Sequence, residues 1–372
     1  MLHRLFVLVV VALTSGCSLL GGARVEAVAT SVQKPSNVAL LVEVTEGDDP
    51  VTGLAQENFR IYENEQLLSE SEVKRALLDR TPVTTERVLL LVELHGQPSS
   101  PERARVVRAV EVFVEKIRPS VAVSVFAYDG SDSLKLVGEY ARGAGPTVAS
   151  AIATAPGPDG SRNLHGAVLD GVRQLELRLA SEGKPVRLGT IVVMARGPDL
   201  ANRTTAEKMQ QVLDAVRFNV IAVGIGDDTP YLHFAHGGIV HAQSADTLPI
   251  ALEEAGARVV ATQAKYYLVS YCSPARAGER RVKIEVAYTT KTGDERGGST
   301  THDFDATGFG PGCSPETSPQ FAPQKAAPVS ATPAGAAPAA TTPPPGAPVN
   351  NAPPETPPGE VVPPPASNEY KQ

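Results

Sequence analysis

The side chains best suited to chemistry in this 372-residue chain are seven histidines, three cysteines and a few paired acids. His95, His165, His233 and His236 fall in segments that read as loops beyond strand ends. His233 and His236 stand three residues apart, a spacing that can ligate zinc from a helix. No cysteine is near them and no carboxylate is placed to converge, so they read as solvated or capping side chains. There is no Gly-x-Ser-x-Gly elbow and no His-Glu-x-x-His pair. Gly224-Ile225-Gly226 lacks the third glycine and the helix start of a nucleotide loop, and reads as a strand-end turn. Asp227-Asp228 reads as a solvated turn. Three cysteines are too few for a disulfide scaffold or a four-cysteine zinc site. Neither an enzyme nor a cofactor is expected.

Composition narrows the classes further. The chain has no Trp and 5% aromatics, which argues against a stacking platform for sugars or bases. The formal net charge is −7 with no basic block, so nucleic acid is not an expected partner. No apolar run reaches the roughly 20 residues of a membrane span. Residues 1–16 have the form of a signal peptide, with His3 and Arg4 ahead of an apolar core from Leu5 to Leu13. Thr14-Ser15-Gly16-Cys17, followed by Ser18, resembles the bacterial lipoprotein signal, with Thr14 where Leu is usual. The resemblance implies that Cys17 is acylated and becomes the mature N-terminus. The alternative is an ordinary secretory signal cut near Gly16. Several acyl chains, at about 0.8 kcal/mol per buried methylene, would hold the protein on a membrane. Ser18 is not the Asp that favours inner-membrane retention, so the outer membrane is the expected address. In an oxidising compartment the two remaining cysteines tend to pair. Cys272 ends a strand-like run and Cys313 ends the expected folded region. A Cys272–Cys313 disulfide closes a loop of about 40 residues, which contributes about 3–4 kcal/mol in the chain-entropy account.

The elements that must position any site follow from periodicity. Residues 24–85 read as strands, with Val25, Ala27 and Ala29 alternating and Asn37 to Val44 forming an apolar run. From residue 86 the pattern changes. Val88 to Leu94 is continuous and apolar, as in a parallel strand buried on both faces. Ser100-Pro101-Glu102 supplies an N-cap, a first-turn proline and an early acid. Helices are expected after Ser100, over Asn163 to Ser181, Thr205 to Arg217 and Thr247 to Thr262. Strands are expected at Val121 to Ala127, Thr190 to Met194, Val220 to Gly224 and Ile239 to Ala242. Such alternation predicts a doubly wound α/β domain over residues 86–263. Strands resume in Tyr266 to Tyr271, Val282 to Tyr288 and Thr300 to Phe304, so residues 264–313 complete a β-sandwich begun by residues 24–85. Residues 17–23 form a linker. More than half of the 32 prolines follow Cys313, and residues 314–372 read as a disordered Pro/Ala-rich tail.

Three stretches carry a resemblance to bacterial von Willebrand factor A-related proteins. Pro50-Val51-Thr52-Gly53-Leu54, followed by Glu57-Asn58-Phe59-Arg60-Ile61-Tyr62-Glu63-Asn64, is similar to the family's flanking block, roughly V-x-G-L and then D-F-x-V-x-E-D-G. Val88 to Glu93 resembles the first strand of the A domain. Tyr266-Tyr267-Leu268-Val269-Ser270-Tyr271, with Arg281-Val282-Lys283-Ile284-Glu285-Val286 behind it, resembles the closing block. Together they span nearly all of residues 37–290. The implied fold is α/β, a doubly wound Rossmann-like domain of the A type inserted in an Ig-like β-sandwich formed by both flanks.

A typical domain of that family holds Mg²⁺ at the carboxyl ends of the strands, and a partner's acidic residue completes the coordination. The oxygen ligands come from Asp-x-Ser-x-Ser after the first strand, a Thr in the second loop and an Asp after the fourth strand. Here the first motif aligns with Glu93-Leu94-His95-Gly96-Gln97. The second loop is Gly160-Ser161-Arg162-Asn163-Leu164, with Arg162 at the Thr position. The third is Ala195-Arg196-Gly197, with Arg196 at the Asp position. Guanidinium offers no acceptor, and each close like-charge pair repels by about 4 kcal/mol at an effective dielectric near 20. The expectation is a lost metal site. Glu93 would pair with Arg162, Arg196 or both, and the arginine charge would stand in for the ion. Glu93, His95, Gln97, Arg162 and Arg196 form the candidate partner-binding face, open to an unidentified protein partner through an acidic residue. The expected function is a membrane-anchored interaction module or scaffold of an envelope complex. The alternatives are a structural lipoprotein with no ligand there, and a metal-dependent adhesin using displaced ligands such as Asp129, Asp199 or Asp227.

Overall fold

Alternating strands need one face to cover, and continuous apolar strands need two. The computed structural model describes residues 22–69, 71, 73–94, 100–143, 152, 160–226 and 230–324, and contains both kinds. The amino-terminal strands are β1 (Arg24–Gln33), β2 (Asn37–Glu46), β3 (Asp49–Pro50), β4 (Phe59–Glu63), β5 (Gln66–Leu67) and β6 (Arg75–Leu78). They pair with strands from the other end of the chain, β13 (Tyr266–Cys272), β14 (Glu279–Thr289) and β15 (Glu295–Asp305). One antiparallel sheet runs β1-β2-β13-β6, with β3 also on β2, and the other runs β15-β14-β4-β5. Leu41 lies opposite Leu268, and Ile61 opposite Ile284, so each sheet is closed only when both flanks are present. The facing sides share one core. Val38, Leu40 and Val42 of β2 and Tyr267, Val269 and Tyr271 of β13 meet Phe59 and Ile61 of β4 and Val282, Ile284 and Val286 of β14. Inside it the Tyr271 hydroxyl donates to Glu63 Oε1 at 2.8 Å, which satisfies both buried polar groups.

The apolar run of β2 has a second use. Its opposite face, Ala39 and Leu41, joins Tyr266 and Leu268 in a further cluster with Val83, Val186 and Leu188. Those last residues lie at the amino ends of two parallel strands, β7 (Thr84–Glu93) and β10 (Val186–Ala195). The parallel sheet also holds β8 (Ala122–Tyr128), β9 (Lys135–Tyr140), β11 (Asn219–Ile225) and β12 (Ile239–Ala242). Its order is β12-β11-β10-β7-β8-β9, parallel throughout except for β9. Helices α1 (Pro101–Ile117), α2 (Leu164–Ser181), α3 (Ala206–Ala215) and α4 (Leu248–Gln263) cover it. Val88, Leu90 and Val92 of β7 pack with α1 and α4, while Leu89 and Leu91 pack with α2 and α3. Period-two alternation thus supplies two cores from one strand. The fold is therefore α/β, with a mostly parallel sheet flanked by helices on both sides.

Two features differ from the sequence expectation. Strand β9 has a weak pattern, Lys135-Leu136-Val137-Gly138-Glu139-Tyr140, and was not anticipated; it adds an antiparallel edge. The chain also does not leave the fold at residue 314. The Cys272–Cys313 disulfide, with Cα atoms 5.8 Å apart, fixes the start of the segment that follows. Asn37 Nδ2 then donates to the Ser314 carbonyl. Ser31 Oγ donates to the Gln320 carbonyl at 3.0 Å and accepts from Gln320 N–H at 3.1 Å. Phe321, 6% exposed, fills the cluster between the sandwich and the parallel sheet. Gln324 N–H donates to the Pro185 carbonyl, and Gln324 Oε1 accepts from Arg187 N–H. Residues 314–324 are therefore a strap across the junction. Proline-rich composition misled because a strap needs only one apolar anchor, not periodicity. The tail beyond Gln324 lies outside the described residues.

Phe321→Ala is expected to lower unfolding free energy by about 3 kcal/mol, since it empties a buried aromatic site; urea unfolding of the variant measures it. A second expectation concerns alkaline pH. Burial, and then the charge of Glu43 or Glu63, pushes the phenols of Tyr266 and Tyr271 above their ordinary value. The unfolded chain then releases protons first, above about pH 10. Stability is level below that point and falls as pH rises through it. Urea midpoints between about pH 8 and 11 should show the break, and a flat profile would contradict the burial of these two rings.

Candidate functional site

The parallel sheet reverses its strand order between β7 and β10. From β7 the chain moves outward to β8, then returns to β10 and moves out the other way. Open α/β sheets form their ligand crevice at the carboxyl ends of such a pair. Glu93 ends β7, Ala195 ends β10, and Arg196 follows directly. Arg162 immediately precedes Asn163, whose side chain accepts from Gly166 N–H and caps α2. Three separate elements thus aim at one crevice.

Glu93 is fully buried. Its Oε1 lies 3.1 Å from Arg162 Nε, and its Oε2 accepts the backbone N–H of Arg196 at 2.7 Å. The two arginines therefore act differently. Arg162 neutralises the carboxylate with its side chain. Arg196 offers Glu93 only its amide, while its guanidinium turns to Glu102 in the first turn of α1. Of the expected pairings, with Arg162, Arg196 or both, the structure has the one with Arg162. With its backbone committed to Glu93, the Arg196 side chain runs to Glu102 and stays 11% exposed.

The surrounding groups are also committed. Arg103, 3% exposed, donates through Nη1 to the Ile152 carbonyl at 3.2 Å. Burial, and then the Arg196 charge, lower its pKa from the ordinary guanidinium value. The Tyr128 hydroxyl donates to the Met194 carbonyl at 3.0 Å, and burial followed by the Glu93 charge holds its phenol well above the ordinary value. The loop after β10 is tied to Arg162. The Arg162 carbonyl accepts from Leu200 N–H and Ala201 N–H, at 2.9 and 2.8 Å. A Cβ at Gly197 would meet the Arg162 guanidinium, so a larger residue there would have to shift that side chain.

The remaining candidates are placed as follows. Asp199 accepts from His165 N–H at 2.9 Å and Asn202 N–H at 2.8 Å, so its carboxylate is spent on capping. Asp129 accepts from Ser131 N–H at 2.8 Å, and its other oxygen is 3.5 Å from Lys135 Nζ. His165 Nδ1 lies 3.0 Å from the Thr204 carbonyl, and His236 Nε2 lies 2.9 Å from that of Phe218. Among the described residues no group of three or more His, Cys, Asp or Glu could hold a metal. His95, Gln97, Asp227 and Cys17 lie outside the described residues.

Glu102, Arg103 and Tyr128 were not anticipated as site residues. Glu102 carried a signal, being an acid at a helix start, but its partner could not be read from spacing. A literal Asp-x-Ser-x-Ser occurs as Asp129-Gly130-Ser131-Asp132-Ser133, one strand beyond the place where the motif was aligned. Its ammonium neighbour and its turn geometry give it a structural use. Among the described residues, those at the crevice do not fit a divalent cation. A guanidinium stands against the carboxylate where oxygen ligands would be needed, and Arg cannot deprotonate.

No family model matches the chain, and no curated protein matches it. Solved structures resemble it in fold. A von Willebrand factor type A protein from Catenulispora acidiphila aligns at TM-score 0.39 and 11% identity, over 77% of this chain and 73% of that one. Proximal thread matrix protein 1 from the mussel byssus aligns at TM-score 0.37 and 14% identity, over 47% of this chain and 48% of its own length. The manganese-loaded Plasmodium vivax TRAP protein aligns at TM-score 0.37 and 12% identity, over 64% of this chain and 99% of that one. The chain thus spans about half the length of the mussel protein.

The two arginines should separate in stability. Arg162→Met strands a fully buried carboxylate and is expected to cost about 3 kcal/mol. Arg196→Ala leaves behind only Glu102, a carboxylate that is 48% exposed and can be solvated, and is expected to cost about 1 kcal/mol. Equal losses in denaturant unfolding would contradict this division of roles.

Proposed function

We propose that this protein is a lipid-anchored, extracytoplasmic protein-interaction module whose A-type domain captures an acidic partner without a metal. The observation that carries the reading is the crevice at the strand reversal. There Glu93 is neutralised from within by Arg162, and the Arg196 guanidinium pairs with Glu102, a carboxylate that is exposed. A guanidinium fork binds carboxylate directly and bidentately, so a fixed organic cation can take the place of a bridging ion. The lipid at Cys17 and an envelope location, outer membrane rather than inner, belong to the same proposal. Five residues separate Cys17 from Ala23, whose N–H donates to the Gly297 carbonyl at 3.0 Å, so the tether would join the sandwich. That leaves the crevice, at the opposite ends of β7 and β10 from the sandwich contact, as the working face. A scaffold or binding subunit of an envelope complex is the role this arrangement suits.

The test uses the full-length protein in detergent and an immobilised library of short peptides in Asp/Glu and Asn/Gln pairs. Carboxylate peptides are expected to bind at least about tenfold better than their amides, a difference of about 1.4 kcal/mol. Binding should persist in chelator and fall about tenfold in Arg196→Ala. Loss in chelator, restored by Mg²⁺ or Mn²⁺, would instead support a metal-dependent adhesin. No discrimination between acids and amides would leave the structural-lipoprotein reading.

A further inference from the structure

Resting on that reading, we infer that Glu102 is a built-in competitor for the partner's carboxylate: it occupies Arg196 in the free protein and is displaced when an acidic segment binds. The two carboxylates of the crevice differ in what they can do. Glu93 has no exposed surface and is held by Arg162 Nε and Arg196 N–H, so it cannot leave without stranding a charge. Among the described residues the Glu102 side chain, 48% exposed, is held by the Arg196 guanidinium alone, whose own side chain is 11% exposed. Of the two carboxylates, Glu102 is the one that can give way at Arg196.

Three facts make the exchange inexpensive. The leaving carboxylate is well solvated once apart, since the Glu102 side chain is 48% exposed, so releasing it costs little on its side of the pair. Glu102 lies in the first turn of α1, where the helix's unpaired amides favour a carboxylate whether or not Arg196 is attached. The partner's carboxylate replaces the charge that leaves, so Arg196 never faces the buried guanidinium of Arg103 without a counter-ion. The neighbourhood of Arg103 and Arg196 also ensures that an emptied site attracts an anion rather than collapsing onto another cation.

A competitor has a sign that a supporting residue lacks: removing it tightens binding. The probe is acetyl-aspartyl-N-methylamide, titrated into the full-length protein in detergent micelles and followed by the arginine Nε–H signals in NMR. Glu102→Gln keeps the size and helix position but removes the charge. It is expected to bind the probe about two- to fivefold more tightly, the range set by an exposed pair. Glu102→Ala should act in the same direction, which damage to the fold would not produce. The asparaginyl analogue should move no arginine signal. Equal or weaker binding by both Glu102 variants, with Arg196→Ala losing the probe, overturns the competitor role and leaves the acidic-partner reading standing. A probe that moves no arginine signal in either wild type or variants overturns both.

Discussion

A carboxylate with no access to water must be matched where it lies, and Glu93 is such a group. It ends the central strand of a parallel sheet, where side chains are covered on both faces and solvent is excluded. An unpaired charge there would oppose folding more strongly than most single contacts support it. The positions of Arg162 and of the loop after β10 follow from this need. Arg162 must reach Glu93 with its side chain, so its backbone is fixed, and its carbonyl then holds Leu200 and Ala201. The amide of Arg196 supplies the second contact, which sets the direction of its side chain. One buried charge thus organises three loops.

The same constraint distinguishes this crevice from a cation site. A bound divalent ion needs several oxygen ligands and contributes an exchangeable, concentration-dependent charge. A guanidinium is permanent and planar and carries only donors. It can neutralise one carboxylate inside and offer its neighbour to another outside, but it cannot take several oxygens around a point. Affinity in such a site should depend on ionic strength and on shape, and very little on pH near neutrality or on available metal.

Much of the fold was legible because periodicity is a local signal. The helix cap at Ser100 stands where side chain and spacing agreed, and the helices expected from Asn163 and Thr205 begin one residue later, capped by those side chains. The apolar run of β2 was legible as a strand, but its use of both faces was not, since its second neighbour is a different sheet. Strand β9 was missed because Gly138 and charged Lys135 and Glu139 dilute an edge strand's pattern. The strap over residues 314–324 was missed because one phenylalanine among prolines has no period. In the site, the pairing of Glu93 with an arginine was expected from the family resemblance, and Arg162 supplies it. The split between backbone and side chain at Arg196 was not. It depends on which atom of a residue faces inward, and no spacing rule encodes that.

The strap and the interleaved sheets bear on how force or ligand would be felt. β13 follows α4 directly and pairs with β2, so the exit of the parallel domain is part of the sandwich core. β7 enters from the other side through Arg80, whose guanidinium contacts Glu86 and the carbonyls of Gln263 and Tyr266. Both connections therefore meet at one junction, closed over by Phe321. Two covalent links sharing one packed cluster resist hinge motion far better than two separated ones, because bending either link must open the same buried surface. The carboxyl-end crevice stands on a rigid base. A rigid base would suit the proposed site, because the Arg196 guanidinium would be held in place and only Glu102 would have to give way on binding.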